Sequence, residues 1–389
     1  MAGTSGIGRT GLASIASTRP AQDTDLDRLA DGLRGWDTRF TQLAPGPGRG
    51  SIVETVLPAA RLVRLVVDTS VALEALPLAS HPEELFHIGT ISPGTDRLLW
   101  QGLSVRPDML MREEGEVPSR FAMPAGCELL VARLDRKRIE SVARVLRGPE
   151  DEPARRRTQL HPQSVATLAE LRAQLRALMR SDLADQGERI GLAEDELYER
   201  VASMLAASPM HVDPPPETRR RALRRVEEYL HAHAGKRFSL SDLCLASECS
   251  ERTLRTAFRE CYGTSPMAFL KKLRLQGLRQ DLRDAAPRSA TVLNLALRWG
   301  FWHMGHLGRD YRLLFGERPS ETLAGKRRLD GATGPVDVSR AAAGSGRGDA
   351  IIRLPPRGAR ALRSDAPSYH ASDGAPRAHD RSRKPARSI

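Results

Sequence analysis

Ser250-Glu251-Arg252-Thr253-Leu254, then Phe258, then Gly263-Thr264-Ser265-Pro266: this run is answered further along the chain by Leu307, Tyr311 and Gly316-Glu317-Arg318-Pro319 at the same spacing. In each copy an apolar pair at helical spacing occupies one face. A Gly follows that can end the helix in a left-handed conformation, then a Pro that restarts the chain. A helical unit is therefore duplicated.

Working outward, Leu240, Leu243 and Ala246 mark one face of a short helix that Ser239 or Ser241 can cap. After a turn through Glu248 and Cys249, Ser250 can cap a second helix with the buried stripe Leu254, Ala257, Phe258, Cys261 and Tyr262. Arg252, Arg255, Thr256 and Arg259 face outward, which makes the pair a helix-turn-helix with a basic second helix. A long helix from about Pro266 to Ala285 follows, with Phe269, Leu270, Leu273, Leu278 and Leu282 as core candidates. In the second copy Leu293, Ala296, Leu297 and Trp299 belong to the first helix and Gly300-Phe301 to the turn. Leu307, Tyr311, Leu314 and Phe315 lie on the inward face of the second helix. His303, His306 and Arg309 face outward, with Met304 near the boundary. Trp299, Phe301 and Trp302 read as core or near-core aromatics, and Lys271, Lys272 and Arg298 as phosphate partners or plain surface. A lead-in helix over residues 217–234 turns Val226 and Leu230 inward and a cluster from Arg219 to Arg225 outward.

These residues resemble the signature of the AraC/XylS family of transcriptional regulators, with both halves and the linking helix present in order. The resemblance implies a bacterial, cytoplasmic regulator whose two recognition helices enter the major groove about one helical turn (~34 Å) apart. Carried over by position, the DNA-binding residues are Arg252, Arg255, Thr256 and Arg259 in the first motif and His303, Met304, His306 and Arg309 in the second. Arg255 can read guanine in bidentate fashion, worth about 1–3 kcal/mol of discrimination. Thr256 stands where the family often has Arg, and Gly305 and Gly308 offer no side chain, so specificity leans on the first motif. The implied partners are double-stranded promoter DNA and RNA polymerase, and the implied activity is most often activation in response to a small molecule. Two alternatives stand beside it: an N-terminal region that serves only to dimerise, and a catalytic β-barrel fused to a DNA-binding domain.

Charge placement agrees with that division. Across 389 residues, 60 Lys and Arg outweigh 48 Asp and Glu. The excess lies after residue 216, in 217–330 and 331–389, whereas residues 1–216 are net acidic. A basic segment of this kind is the electrostatic footprint of a polyanion partner. The four cysteines are too sparse for a disulfide framework and fit a reduced compartment. No apolar run reaches the ~18 residues a membrane span needs.

The fold class expected is α+β: an N-terminal β-rich, cupin-like or jelly-roll sensor domain, a helical linker and an all-α C-terminal domain with two helix-turn-helix motifs. Residues 1–20 read as disordered and 21–150 as the β-rich effector domain. Strands are placed at Ser51–Leu57, Arg61–Asp68, Leu85–Ile91, Asp96–Val105 and Glu128–Asp135, punctuated by Pro and Gly turns. His81, Glu84 and His87 are spaced too loosely for a metal site, and no motif calls for a catalytic residue or cofactor. Residues 151–212 read as a helical linker. In it Leu168, Leu171, Leu175 and Leu178 form an apolar stripe with Arg172, Arg176 and Arg180 beside or opposite it. A second helix carries Glu194, Asp195 and Glu196 in its first turn and Leu197, Val201, Met204 and Leu205 on its apolar side. This pair can form a homodimer seam or pack on the barrel. Asp213-Pro214-Pro215-Pro216 marks the boundary, 217–325 is the DNA-binding domain and 326–389 a disordered basic tail.

Overall fold

The structure, a computed structural model, describes residues 17–30, 33, 36–46, 48–77, 85–95, 97–114, 119–147, 158–180, 187–207, 216–233, 238–284 and 291–332. Its N-terminal half contains β1 (Ser17–Asp25), α1 (Leu26–Leu29), β2 (Trp36–Gln42), β3 (Arg49–Val56), β4 (Ala60–Val67), β5 (Val71–Pro77) and β6 (Leu85–Ile91). There follow β7 (Leu98–Trp100), β8 (Leu103–Val105), β9 (Met109–Glu114), β10 (Ser119–Met123), β11 (Glu128–Asp135), α2 (Arg136–Arg147), β12 (Thr158–Pro162), α3 (Val165–Leu178) and α4 (Gly187–Ala207). The strands form a seven-stranded sheet, β1-β3-β4-β11-β6-β9-β12, and a five-stranded sheet, β2-β5-β10-β7-β8. Their facing sides enclose one apolar core: Ile52, Val63 and Leu65 from the larger sheet meet Leu73, Trp100 and Phe121 from the smaller.

The central strands β4 and β11 are buried on both faces, which explains why apolar residues succeed one another along them without strict alternation. On β4 and β11, Val63, Leu65 and Leu129 point between the sheets, while Leu62, Leu130 and Ala132 point outward to a second core. That second core is built by α3 and α4: Leu168, Leu171, Leu175 and Leu178, with Leu197 and Val201, lie over the back of the larger sheet. The stripe on α3 thus packs within the chain.

Several expected boundaries shift. Strand β1 starts at Ser17, inside the stretch read as disordered; residues 1–16 lie outside the described residues, as do His81 and Glu84. Asp96–Val105 is two strands, because Gln101 and Gly102 both adopt positive φ (52° and 83°) and turn the chain into a tight hairpin. Arg136–Arg147 is helical, and the linker read as helical contains β12, which extends the larger sheet by pairing with β9. Arg172 is in the core: its guanidinium donates to Thr90 Oγ1 (3.2 Å) and to the carbonyls of Ile91 and Pro107 (both 3.0 Å). Since α4 starts at Gly187, Glu194 lies beyond its first turn, where the buried carboxylate accepts the Ala59 backbone N–H at 2.9 Å.

The C-terminal part is all helical: α5 (Glu217–Ala232), α6 (Leu240–Ser247), α7 (Glu251–Tyr262), α8 (Pro266–Asp284), α9 (Val292–Arg298), α10 (Met304–Phe315) and α11 (Pro319–Ala332). Helix α11 runs past the expected domain end into the stretch read as tail, and residues after 332 lie outside the described residues. Helix α8 belongs to two cores. Phe269 and Leu270 pack with α5, α6 and α7, whereas Leu275, Leu278 and Leu282 pack with α9, α10 and α11. At about 1.5 Å per residue this helix is about 28 Å long, which spaces the two cores along it.

Candidate functional site

The first helix-turn-helix is α6–α7. Ser239 and Asp242 form a reciprocal capping box that starts α6, and Ser250 accepts the Thr253 N–H to start α7. The turn between them depends on Glu248, which holds φ 53° without being glycine. In the second motif, α9–α10, the left-handed residue is Gly300 (φ 77°). One more residue separates it from the N-cap, and that N-cap, His303, makes no side-chain capping bond. Gly263 (φ 65°) and Gly316 (φ 74°) end α7 and α10 in the left-handed geometry that the repeated Gly anticipates.

Leu254, Ala257, Phe258, Cys261 and Tyr262 are buried on α7, which leaves Arg252, Arg255 and Arg259 exposed and Thr256 half-buried. Arg255 is oriented by an i,i+4 pair, its Nε donating to Glu251 at 2.7 Å. On α10, Leu307, Tyr311, Leu314 and Phe315 face inward; His303, His306 and Arg309 are exposed, and Met304 is half-buried against the second core. The two imidazoles meet edge to face, 6.2 Å between centroids. Each motif therefore gathers its outward residues on one face of its second helix. Of the aromatics expected in or near the core, Trp299 is buried and donates to Asp281 at 2.8 Å, but Trp302, just before the α10 N-cap, is 53% exposed. Leu293 is also exposed, its core place taken by Leu295. Lys271 pairs with Asp310 at 2.5 Å and Arg298 lies 3.8 Å from Asp281, so both carry intramolecular partners.

The smaller sheet stands between an internal cavity and this helical domain. On its outer face Ala72 joins the apolar core of the first motif. Arg120 on β10 donates through Nε to both carboxylate oxygens of Glu227 on α5 (3.0 and 2.7 Å), and Tyr262 donates to the same carboxylate. A second polar contact joins the N-terminal segment to the other end of α8: Arg279 and Arg283 reach Asp25 at 3.1 and 2.6 Å, and Arg283 reaches Asp27 at 2.7 Å. Burial raises the Asp27 pKa to about 6 in spite of the two cations. At Asp25 burial acts upward as well, but the Arg283 hydrogen bond and the Arg279 charge outweigh it and hold the carboxyl below its ordinary value. Gln42 closes the contact by donating to the Leu314 carbonyl at 2.8 Å.

On the inner face lies an apolar cavity with about 50 Å³ of free space, whose walls include Trp36, Trp100 and Phe121 and whose polar lining is His87, Glu113 and Ser119. Glu113 is buried and accepts from Gln101 (3.1 Å), Ser119 and Thr158 (3.4 Å). Burial outweighs those bonds and pushes its pKa up to about 7. His87 is buried beside it, its pKa pushed down to about 3 by burial and then by the Arg133 charge. None of these residues stood out in sequence except His87, whose loose spacing with His81 and Glu84 pointed only to a weak metal reading. They come from separate strands, and no local pattern announces their meeting.

Two helix-turn-helix motifs on one bridging helix, each with an exposed polar face, define a double helix-turn-helix DNA-binding domain. The comparisons with known proteins place it. A family model described as "Helix-turn-helix domain" matches residues 243–325. A probable thc operon regulatory protein of Rhodococcus erythropolis is 39% identical over 101 residues, 26% of this chain and 30% of that protein. The XylDLEGF operon transcriptional activator 2 of Pseudomonas putida is 32% identical over 100 residues, 26% of this chain and 64% of that protein. A crystal structure of a probable AraC family transcriptional regulator from Rhodopseudomonas palustris is 43% identical, covering 27% of this chain and 96% of that one, with a TM-score of 0.26. The chain belongs to the AraC/XylS family of transcriptional regulators. The matched segment spans about 30% of the length of the first of these curated relatives. Among the described residues no helix is long and apolar enough to cross a membrane.

Proposed function

We propose that this protein is a sequence-specific, cytoplasmic activator that binds promoter DNA through α7 and α10, engages RNA polymerase there, and receives a small-molecule effector in its N-terminal β-sandwich. The base-reading residues in this proposal are Arg252, Arg255, Thr256 and Arg259 on the first motif and His303, Met304, His306 and Arg309 on the second. The observation that carries the sensor part is the position of β10. Ser119 lines the cavity, and the next residue, Arg120, holds Glu227 of the DNA-binding domain. A ligand that shifts Ser119 displaces Arg120, because strand neighbours face opposite sides of one backbone.

The apolar residues of α3 and α4 pack on the sandwich, so the homodimer in this proposal uses other surface. Exposed Val165 and Leu192 remain on those helices. The test has two arms. Footprinting of the full chain on its own upstream region is expected to protect two sites on one face of the duplex; binding no tighter than to bulk competitor refutes the DNA reading. A thermal-shift screen against a metabolite library is expected to yield a compound that raises the melting temperature and alters the footprint. A library without one refutes the sensor reading.

A further inference from the structure

Inside the sandwich, two buried nitrogens aim at the cavity without a partner: Trp36 Nε1 and His87 Nε2. Their rings lie side by side, 5.0 Å between centroids. Their chemistry is complementary. The indole N–H can only donate. Burial and the Arg133 charge keep the His87 ring neutral, and a neutral imidazole carries one N–H and one acceptor nitrogen, so the tautomer protonated at Nδ1, the side of the Glu113 backbone, presents Nε2 as an acceptor. A hydroxyl group satisfies both at once, accepting from Trp36 and donating to His87.

The site selects against a charged head group. Register places Arg133 of β11 directly across from His87 on one side and Glu113 of β9 directly across on the other. An ion of either sign at the Trp36–His87 pair meets a like charge on one side and an unlike charge on the other, so the flanking charges offset each other and leave the cost of taking an ion out of water into an apolar cavity. A neutral dipole avoids that cost. The remaining walls are aromatic and aliphatic, with Trp100 and Phe121 offering flat faces to a ring. The free space of about 50 Å³ exceeds several-fold the ~10–15 Å³ that one water requires, and Met111, an unbranched wall residue, can yield to a ring.

We propose that the cavity binds a small neutral molecule with a single ring and one hydroxyl group, a phenol in chemical class, held by Trp36 as donor and His87 as acceptor. This rests on the effector reading above and adds the head group and its two partners. The hydroxyl lies beside Glu113, whose carboxylate accepts from Ser119, and Ser119 precedes Arg120, so occupancy at this point is delivered to the strand that holds the DNA-binding domain.

The test uses the full chain and four probes of one shape: p-cresol, p-toluate, 4-methylbenzylamine and toluene. Titration calorimetry is expected to show p-cresol binding at least 10-fold more tightly than each of the other three. Trp36→Phe and His87→Phe are each expected to weaken p-cresol about 5- to 10-fold, one neutral hydrogen bond's worth, and to leave toluene unchanged. Circular dichroism checks that both variants are folded. Tighter binding of p-toluate or the amine overturns the neutral head group and leaves the effector reading standing, as does equal binding of toluene. If none of the four binds while the metabolite screen finds another ligand, the phenol assignment falls alone; if neither finds one, both readings fall.

Discussion

Replacement of Arg120 by Met tests whether the contact between sheet and DNA-binding domain is held by a buried ion pair. Arg120 and Glu227 are each about 6% exposed at the side chain, and the shortest approach between guanidinium and carboxylate is 2.6 Å. Glu74 lies 3.4 Å from the same guanidinium. Met fills much of the volume but removes the cation, leaving Glu227 as an unneutralised carboxylate in a site closed to water, while Glu74, 22% exposed, keeps Arg39 at 3.7 Å. Loss of one partner of a buried pair costs about 3–5 kcal/mol.

The cost depends on pH in a defined direction. Burial already raises the Glu227 pKa, and the Arg120 charge is the main influence opposing it. Without Arg120 the folded-state pKa rises further above the unfolded value. The stability tied to that carboxyl is then fully present below the unfolded pKa and is lost as pH rises through the folded one. Urea unfolding of Arg120→Met is therefore expected to show the full loss at pH 8 and a smaller one at pH 5.5. The double variant Arg120→Met with Glu227→Gln removes the orphaned charge and is expected to recover most of the stability. A loss below about 1 kcal/mol at pH 8, or a double variant no more stable than the single one, refutes the reasoning.

Further outcomes are expected elsewhere in the chain. Arg255→Ala is expected to abolish selective DNA binding, at about 1–3 kcal/mol for a bidentate base contact, while His306→Ala weakens it less; equal losses in a binding titration contradict the asymmetry. Gly277→Ala raises helix propensity yet is expected to destabilise by about 1–3 kcal/mol, because the added methyl would lie 2.1 Å from the Trp299 ring; a higher urea midpoint counts against that packing. Glu113 has a folded pKa near 7 against an ordinary 4.5. Its contribution is present below pH ~4.5 and is lost as pH rises through 7, up to about 3 kcal/mol at about 1.4 kcal/mol per pH unit. Glu113→Gln is thus expected to flatten the fall in melting temperature between pH 5 and 8, and an unchanged slope shows that the carboxyl does not titrate in that range.

The helical half follows from residue order. The stripe from Leu254 to Tyr262, the caps at Ser239 and Ser250 and the exits at Gly263 and Gly316 each act within a turn or two of helix, so residue order alone carries them. The remainder depends on contacts between segments far apart in the chain. Arg172 reads as surface on an amphipathic helix, yet three acceptors from distant loops and strands bring it into the core. Strand β12 pairs with β9 across the intervening β10, β11 and α2. The cavity depends on β2, β6, β9 and β10 converging in one register, and a slip of one residue would turn His87 and Glu113 outward. The duplicated unit was legible because helical contacts are local. The phenol site and the Arg120–Glu227 latch were not, because strands far apart in sequence create them only when they pair.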